Sequence, residues 1–227
     1  MRIFKACSAI ALAFLLAGPA LADGPAYRSL KDAPEAPASW SGIYLGMSVG
    51  WVRTSTEWRN GNPALDTGRF SDTGFIGGGT LGANWQIGSF VLGAEADASL
   101  LNAHATTTHT GCSTATPCKT SLTSLATVRG RVGYLVSPSV LVYGTGGGAW
   151  GQVGNEFNTS SISTTQSGWV VGGGVEGKIA PRWTLKGEYL HVDLGSTFAC
   201  GSPACTPNVT AGPNRAEIVR MGLNYKF

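Results

Sequence analysis

From Ser41 onward the chain alternates apolar and polar positions with a period of two, as strands do when each face meets a different environment. In the first run Ile43, Leu45, Met47, Val49 and Trp51 share one face, opposite Tyr44, Gly46, Ser48 and Gly50. The second sets Phe75, Leu81, Ala83 and Trp85 against Thr80, Asn84 and Gln86. The third sets Phe90, Leu92, Ala94, Ala96 and Leu100 against Gly93, Glu95, Asp97 and Ser99. A fourth opposes Leu122, Ala126, Val128, Val132 and Tyr134 to Thr123, Thr127, Arg129 and Arg131. The fifth, VLVYGTGGGAWG, is apolar or small on both faces, and its parity stays open. In the sixth, Trp169, Val171, Val175 and Ile179 face away from Glu176 and Lys178; in the seventh, Trp183, Leu185 and Tyr189 face away from Lys186 and Glu188. The eighth opposes Val219, Met221, Leu223, Tyr225 and Phe227 to Arg220, Asn224 and Lys226.

The connections alternate as well. Long polar stretches at 54–72, 102–121, 152–166 and 194–213 follow the odd strands, and brief turns at Gly88-Ser89, Ser137-Pro138-Ser139 and Ala180-Pro181-Arg182 follow the even ones. Long loops at one end, short turns at the other and an even strand count predict an all-β fold, an eight-stranded antiparallel up-and-down transmembrane β-barrel. A soluble β-sandwich would alternate too, but it would enclose its large apolar residues. Here Trp51, Trp85, Phe90, Tyr134, Trp169, Trp183 and Phe227 stand near strand ends on the apolar faces, as the two aromatic girdles of a bilayer protein do.

Upstream of the barrel the pattern differs. Residues 1–22 read as a secretory signal peptide: Arg2 and Lys5 precede an apolar stretch from Ala9 to Ala17, and Ala20-Leu21-Ala22 supplies a small-x-small cleavage site. Residues 23–39, with Pro25, Pro34 and Pro37, read as an extended periplasmic linker, and 40–227 as the barrel. The formal net charge of +3 falls to +1 once Arg2 and Lys5 leave, with 14 basic against 13 acidic residues remaining. No basic patch then points to nucleic acid.

Composition sharpens the barrel reading. Only 13% of residues are charged while 33 are Gly. The charges gather on the inferred inward faces: Glu95, Asp97, Glu176 and Glu188 with Arg129, Arg131, Lys178, Lys186 and Arg220. Near balance is what a desolvated cluster demands, because a lone buried charge is strongly destabilising. The tight turn at Pro181 sets Glu176 opposite Lys186, and similar counting places Glu95 near Arg129. Gly46, Gly50, Gly78, Gly172 and Gly174 lie on the same faces and would leave room for long side chains. The cluster is either a plug or an ion constriction. Eight strands leave an interior just wide enough for side chains, which favours the plug.

With the strands laid out, the chain resembles the alpha-proteobacterial outer-membrane immunogenic protein family, a branch of the opacity-like porin superfamily. The residues that carry the likeness are Trp40-Ser41-Gly42-Ile43-Tyr44-Leu45-Gly46 after a Pro-rich stretch, Gly77 through Gln86, Leu92 through Asp97, Tyr143 through Gly147, and the closing Gly222 through Phe227. The resemblance implies an eight-stranded barrel in the outer membrane of a Gram-negative cell. It also implies that Phe227 with Tyr225 forms the signal read by the barrel-assembly machinery.

The remaining motifs weigh little. Gly46-Met47-Ser48-Val49-Gly50 matches a nucleophile elbow but sits inside a strand with no helix after it. Gly144 through Ala149 loosely matches a dinucleotide fingerprint and also lacks its helix. Cys112 with Cys118 and Cys200 with Cys205 lie pairwise in two long loops of an exported chain, which predicts two intraloop disulfides. His104 and His109 stand near the first pair, but the spacing fits no zinc pattern. The expected protein is a monomer with no cofactor, metal or catalytic site, bathed in outer-membrane lipid and lipopolysaccharide. Its role is structural, with the four long loops offered to host or cell-surface molecules. A porin for small hydrophilic solutes is the alternative, and a lipid-modifying enzyme using His191 beside Asp193 and Ser196 the third.

Overall fold

The computed structural model describes residues 39–59, 68–107, 118–157, 160–200, 209–212 and 214–227. The signal peptide, all of the linker but Ser39, Cys112 and Cys205 lie outside the described residues, as do the side chains of Cys118 and Cys200 and therefore both cystine pairs. Ten strands form among the described residues: β1 (Gly42–Arg59), β2 (Arg69–Ile87), β3 (Phe90–Thr107), β4 (Cys118–Ser137), β5 (Val140–Phe157), β6 (Ser160–Ala180), β7 (Trp183–Asp193), β8 (Thr197–Cys200), β9 (Val209–Ala211) and β10 (Arg215–Lys226). Consecutive strands from β1 to β7 pair antiparallel, β7 pairs β10, and β10 returns to β1, so eight strands close a barrel. The seam runs from Tyr44 opposite Lys226 to Ser55 opposite Arg215. The two further strands are short: β8 pairs β9, and β9 continues the upper end of β1 through Trp58 opposite Ala211.

Strands β1 to β6 run 18–21 residues each, well past the points at which their sequences turn polar. Within the expected loops at 54–72, 102–121 and 152–166, the described residues other than Gly68 are therefore strand. Ser55 stays opposite Ser71 and Thr56 opposite Phe70. Polarity marks where a strand leaves the bilayer, and backbone hydrogen bonds continue beyond it because Thr and Ser are compatible with strands.

The alternation holds where it could be read. Met47 and Val49 are each 69% exposed on the outer wall, while Ser48 is buried inside. Aromatic pairs mark both ends of the apolar band: Trp51 and Phe75 at 6.1 Å on the long-loop side, Phe90 and Tyr134 at 5.4 Å and Trp183 and Tyr225 at 5.0 Å on the short-turn side. Phe227 packs on Tyr225 at 5.3 Å, and its amide donates to Ile43 O at 3.0 Å across the seam. The open parity of β5 resolves with Leu141, Tyr143, Thr145 and Ala149 inside. Two face assignments are corrected: Leu122 is buried in the lumen and Thr123 is exposed, because a β-bulge between Leu122 and Ser124 inverts the alternation of β4 there.

The interior is layered. At the short-turn mouth Trp40 folds under the barrel beside Val91, Leu141 and Tyr143. Its amide donates to Gln86 Oε1 at 2.8 Å and its indole to Pro138 O at 3.2 Å. Charged residues fill the middle. Above them lies an apolar layer that includes Val52, Leu125, Val153, Leu190, Val192 and Ile218. Thr56–Asn214 and Thr120–Asn155 hydrogen bonds, at 2.8 and 2.9 Å, sit nearer the long-loop end.

Candidate functional site

The inward parity of β3, β4, β6, β7 and β10 delivers long charged side chains to one height of the lumen. Glu95 stands opposite Arg129, and Glu176 opposite Lys186, in the registers counted from the sequence. Adjacency in register does not decide the ion pairs. Lys186 Nζ crosses the lumen from β7 to Glu95 Oε1 on β3 at 2.6 Å, and Glu176 instead accepts from Arg131 Nη2 at 2.7 Å. Only the Glu95–Arg129 expectation survives as a direct contact, at 3.0 Å.

Arg129 is the hub. Its Nη2 donates to Glu95 Oε2 and to Asp97 Oδ2 at 2.6 Å, and its Nη1 to Glu188 Oε1 at 2.9 Å, with the residue 1% exposed. Arg220 approaches from β10, its Nε donating to Glu188 Oε2 at 2.8 Å and its Nη2 to Asp97 Oδ1 at 3.0 Å. Hydroxyls and an amide complete the carboxylates. Asp97 accepts from Thr80 and Thr127, Glu188 from Tyr143 at 3.1 Å, and Glu176 from Thr184 and Asn224 Nδ2. Tyr44 donates to Glu95 at 2.9 Å while accepting from Arg131 Nη1 at 3.1 Å, and the Arg131 guanidinium lies 4.0 Å above the Tyr143 ring.

Four carboxylates, Glu95, Asp97, Glu176 and Glu188, thus meet four cations, Arg129, Arg131, Lys186 and Arg220. Lys178 is the correction to the predicted cluster. Although its parity is inward, it sits at the short-turn mouth, with Nζ 4.7 Å from the Trp40 ring and donating to Pro138 O. Its position two residues before the β6–β7 turn puts it below the network. Removing it leaves the network formally neutral, as a water-poor interior requires.

Sequence reasoning missed Tyr44, Tyr143, Thr80, Thr127, Thr184 and Asn224. All but Tyr143 lie on inward faces of strands whose parity was legible, so the signal was present; Tyr143 lies on the strand whose parity stayed open. The glycines need refining too. A Cβ on Gly46 would run into Asn224 Oδ1 and one on Gly222 would meet Lys186 Cε at 3.0 Å, so these do make room for network side chains, whereas one on Gly174 would meet the Gly187 carbonyl first and then Tyr143 OH at 2.8 Å. Gly50, Gly78 and Gly172 instead back onto carbonyls of the neighbouring strand. A Cβ on Gly82 would run into the Tyr44 ring. Because Tyr44 is held by both Glu95 and Arg131, Gly82→Ala is expected to destabilise the barrel by about 1–3 kcal/mol, measurable as a lower urea midpoint in lipid vesicles.

Toward the long-loop rim of the outer wall, His191 Nδ1 lies 2.6 Å from Glu217 Oε1 and its ring 5.3 Å from Trp169. Asp193 pairs with Arg215 at 3.1 Å. No group of three or more His, Cys, Asp and Glu able to hold a metal occurs among the described residues.

These features agree with comparison to known proteins. The family model for an outer membrane protein beta-barrel domain matches residues 8–227. The chain is 32% identical over 216 residues to a 31 kDa outer-membrane immunogenic protein of Brucella melitensis, covering 86% of this chain and 87% of that one. It is 33% identical over 172 residues to a 22 kDa outer membrane protein of Rhizobium leguminosarum, covering 73% and 70%. The outer membrane protein OprG from Pseudomonas aeruginosa shares the fold, with a TM-score of 0.54 at 11% identity over 84% of this chain and 99% of that one. The chain is an outer-membrane β-barrel protein and belongs to the alpha-proteobacterial outer-membrane immunogenic protein family.

Proposed function

We propose that the barrel is a closed structural element of the outer membrane whose long-loop end serves as its contact surface. The observation that carries this reading is the cross-lumen bracing by Arg129, Arg220 and Lys186, which tie β4, β10 and β7 to carboxylates on β3 and β7. A hydrated pathway would have to part these pairs and then cross the apolar layer around Leu190 and Ile218. Trp40 obstructs the opposite mouth. The closed seam within one chain supports a monomer.

The reading is non-enzymatic. A lipid-modifying site built on His191 would want that ring directed at Ser196 and Asp193; it is turned to Glu217, and Asp193 to Arg215. Proteoliposome swelling tests the structural reading. Vesicles carrying the protein are expected to swell in isotonic arabinose no faster than empty ones. Rapid swelling that scales with protein content would establish the porin alternative instead.

A further inference from the structure

The outer wall carries a feature unrelated to the lumen. Val49 and Trp51 of β1, Phe75 and Gly77 of β2, Leu100 of β3 and Met221 of β10 line a groove of about 600 Å³. Register explains it. One cross-strand row reads Met221–Val49–Gly77–Leu100, so the missing side chain at Gly77 leaves a notch between two ridges. A Cβ there would meet only ordinary contacts, Ser48 O at 3.7 Å and Val49 Cγ1 at 3.8 Å, so the notch is open space rather than a backbone clash. The row above holds Trp51 and Phe75, at the level of the aromatic girdle on the long-loop side.

Directly above that girdle the same face carries an arginine. Arg53 is two residues beyond Trp51, opposite Thr73 on one side and Glu217 on the other. Glu217 is engaged by Tyr189 and His191, while Arg53 Nη2 reaches a neutral partner, Ser71 Oγ at 3.4 Å. Long loops mark the extracellular end of an outer-membrane barrel, so the groove lies in the outer leaflet with its guanidinium at headgroup height. A two-residue step along a strand is about 7 Å, which one molecule spans with an acyl chain below and an anionic group above.

We propose that this groove and Arg53 together form a binding site for one acylated, phosphorylated glycolipid of the outer leaflet, the chemistry of lipid A. An acyl chain lies in the Gly77 notch between Trp51, Phe75 and Leu100, and a phosphate accepts from the Arg53 fork, whose planar donors match phosphate geometry. The site is independent of whether the lumen conducts, and its test does not involve conductance.

Native mass spectrometry of the detergent-solubilised barrel, incubated with hexa-acyl bisphosphorylated lipid A, reads the occupancy directly. The wild-type barrel is expected to retain one lipid A. Arg53→Gln is expected to weaken retention about tenfold, the worth of a charge-assisted hydrogen bond. Gly77→Leu, which fills the notch, is expected to reduce it similarly. Gly187→Leu, an outward position on β7 where a Cβ meets nothing within 4 Å, serves as the control and is expected to bind as the wild type does. Equal retention by the wild type, Arg53→Gln and Gly77→Leu would overturn the proposal. So would equal retention by the wild type of phosphatidylethanolamine or of dephosphorylated lipid A.

Discussion

Arg129→Met is expected to lower the unfolding free energy of the barrel by about 3–5 kcal/mol, the range found when one partner of a buried ion pair is removed. Methionine keeps much of the length and apolar stem of arginine, so the loss is electrostatic more than steric. Asp97 and Glu188 would still have Arg220, and Glu95 would still have Lys186 and Tyr44. The network would nevertheless hold four carboxylates against three cations in a space with little water to screen them. Adding Glu188→Gln restores formal neutrality, so the double variant is expected to recover part of the loss. Equilibrium urea unfolding in lipid vesicles measures both, arranged as a double-mutant cycle. Additive losses would mean that Arg129 and Glu188 are energetically independent, contrary to their 2.9 Å contact.

The second large effect belongs to the apolar layer. Leu190→Ala is expected to cost about 2–5 kcal/mol, because it removes buried methylenes and leaves a cavity the rigid wall cannot close. Leu190 is 1% exposed and packs with Val192, Ile218 and their neighbours. Leu185 lies on the same strand but faces outward, 40% exposed. There acyl chains flow into the vacated space, so Leu185→Ala loses the transfer contribution without the cavity contribution. Its cost is expected at the low end of that range, about 2 kcal/mol. Equal losses at the two positions in the same unfolding assay would mean that the upper lumen is fluid or hydrated rather than packed.

How far the fold could be read without coordinates differs from strand to strand. In β1, Met47 and Ser48 differ enough that one glance assigns their faces, and the first half of β3 is as clear. In β5 both faces are small or apolar because the lumen there receives Leu141, Tyr143 and Ala149, so no parity signal exists. Leu122 and Thr123 stand on the faces opposite to those their parity predicts, because a bulge is a backbone event with no side-chain signature. The ion pairs were only partly legible. Register counting found Glu176 opposite Lys186, but long side chains in a narrow lumen reach non-adjacent strands, and Lys186 finds Glu95 instead. The apolar layer is hard to read for a related reason: Ala216 and Ile218 point inward while Arg215 and Glu217 point outward, which reverses the pattern seen lower in the barrel.

The same two-layer lumen explains why scarce charge coexists with a buried ionic network. Nearly all outward positions between the girdles are apolar, and the inward ones divide into a neutral ionic layer and an apolar one. An ionic network of this kind is weak evidence for stability, since a well-packed apolar core can do as well. Its contribution here is geometric: it links β3 to β4, β7 and β10 across the lumen and so holds the barrel wall in one cross-section.

Single-channel recording in planar bilayers tests the closed lumen most directly. The wild-type protein is expected to produce no stable open level across the voltage range, and Arg129→Met, which unties three carboxylates at once, is expected to raise the frequency of brief openings. Long-lived, ion-selective openings in the wild type, altered in selectivity by Arg129→Met, would contradict the account and make the network a constriction.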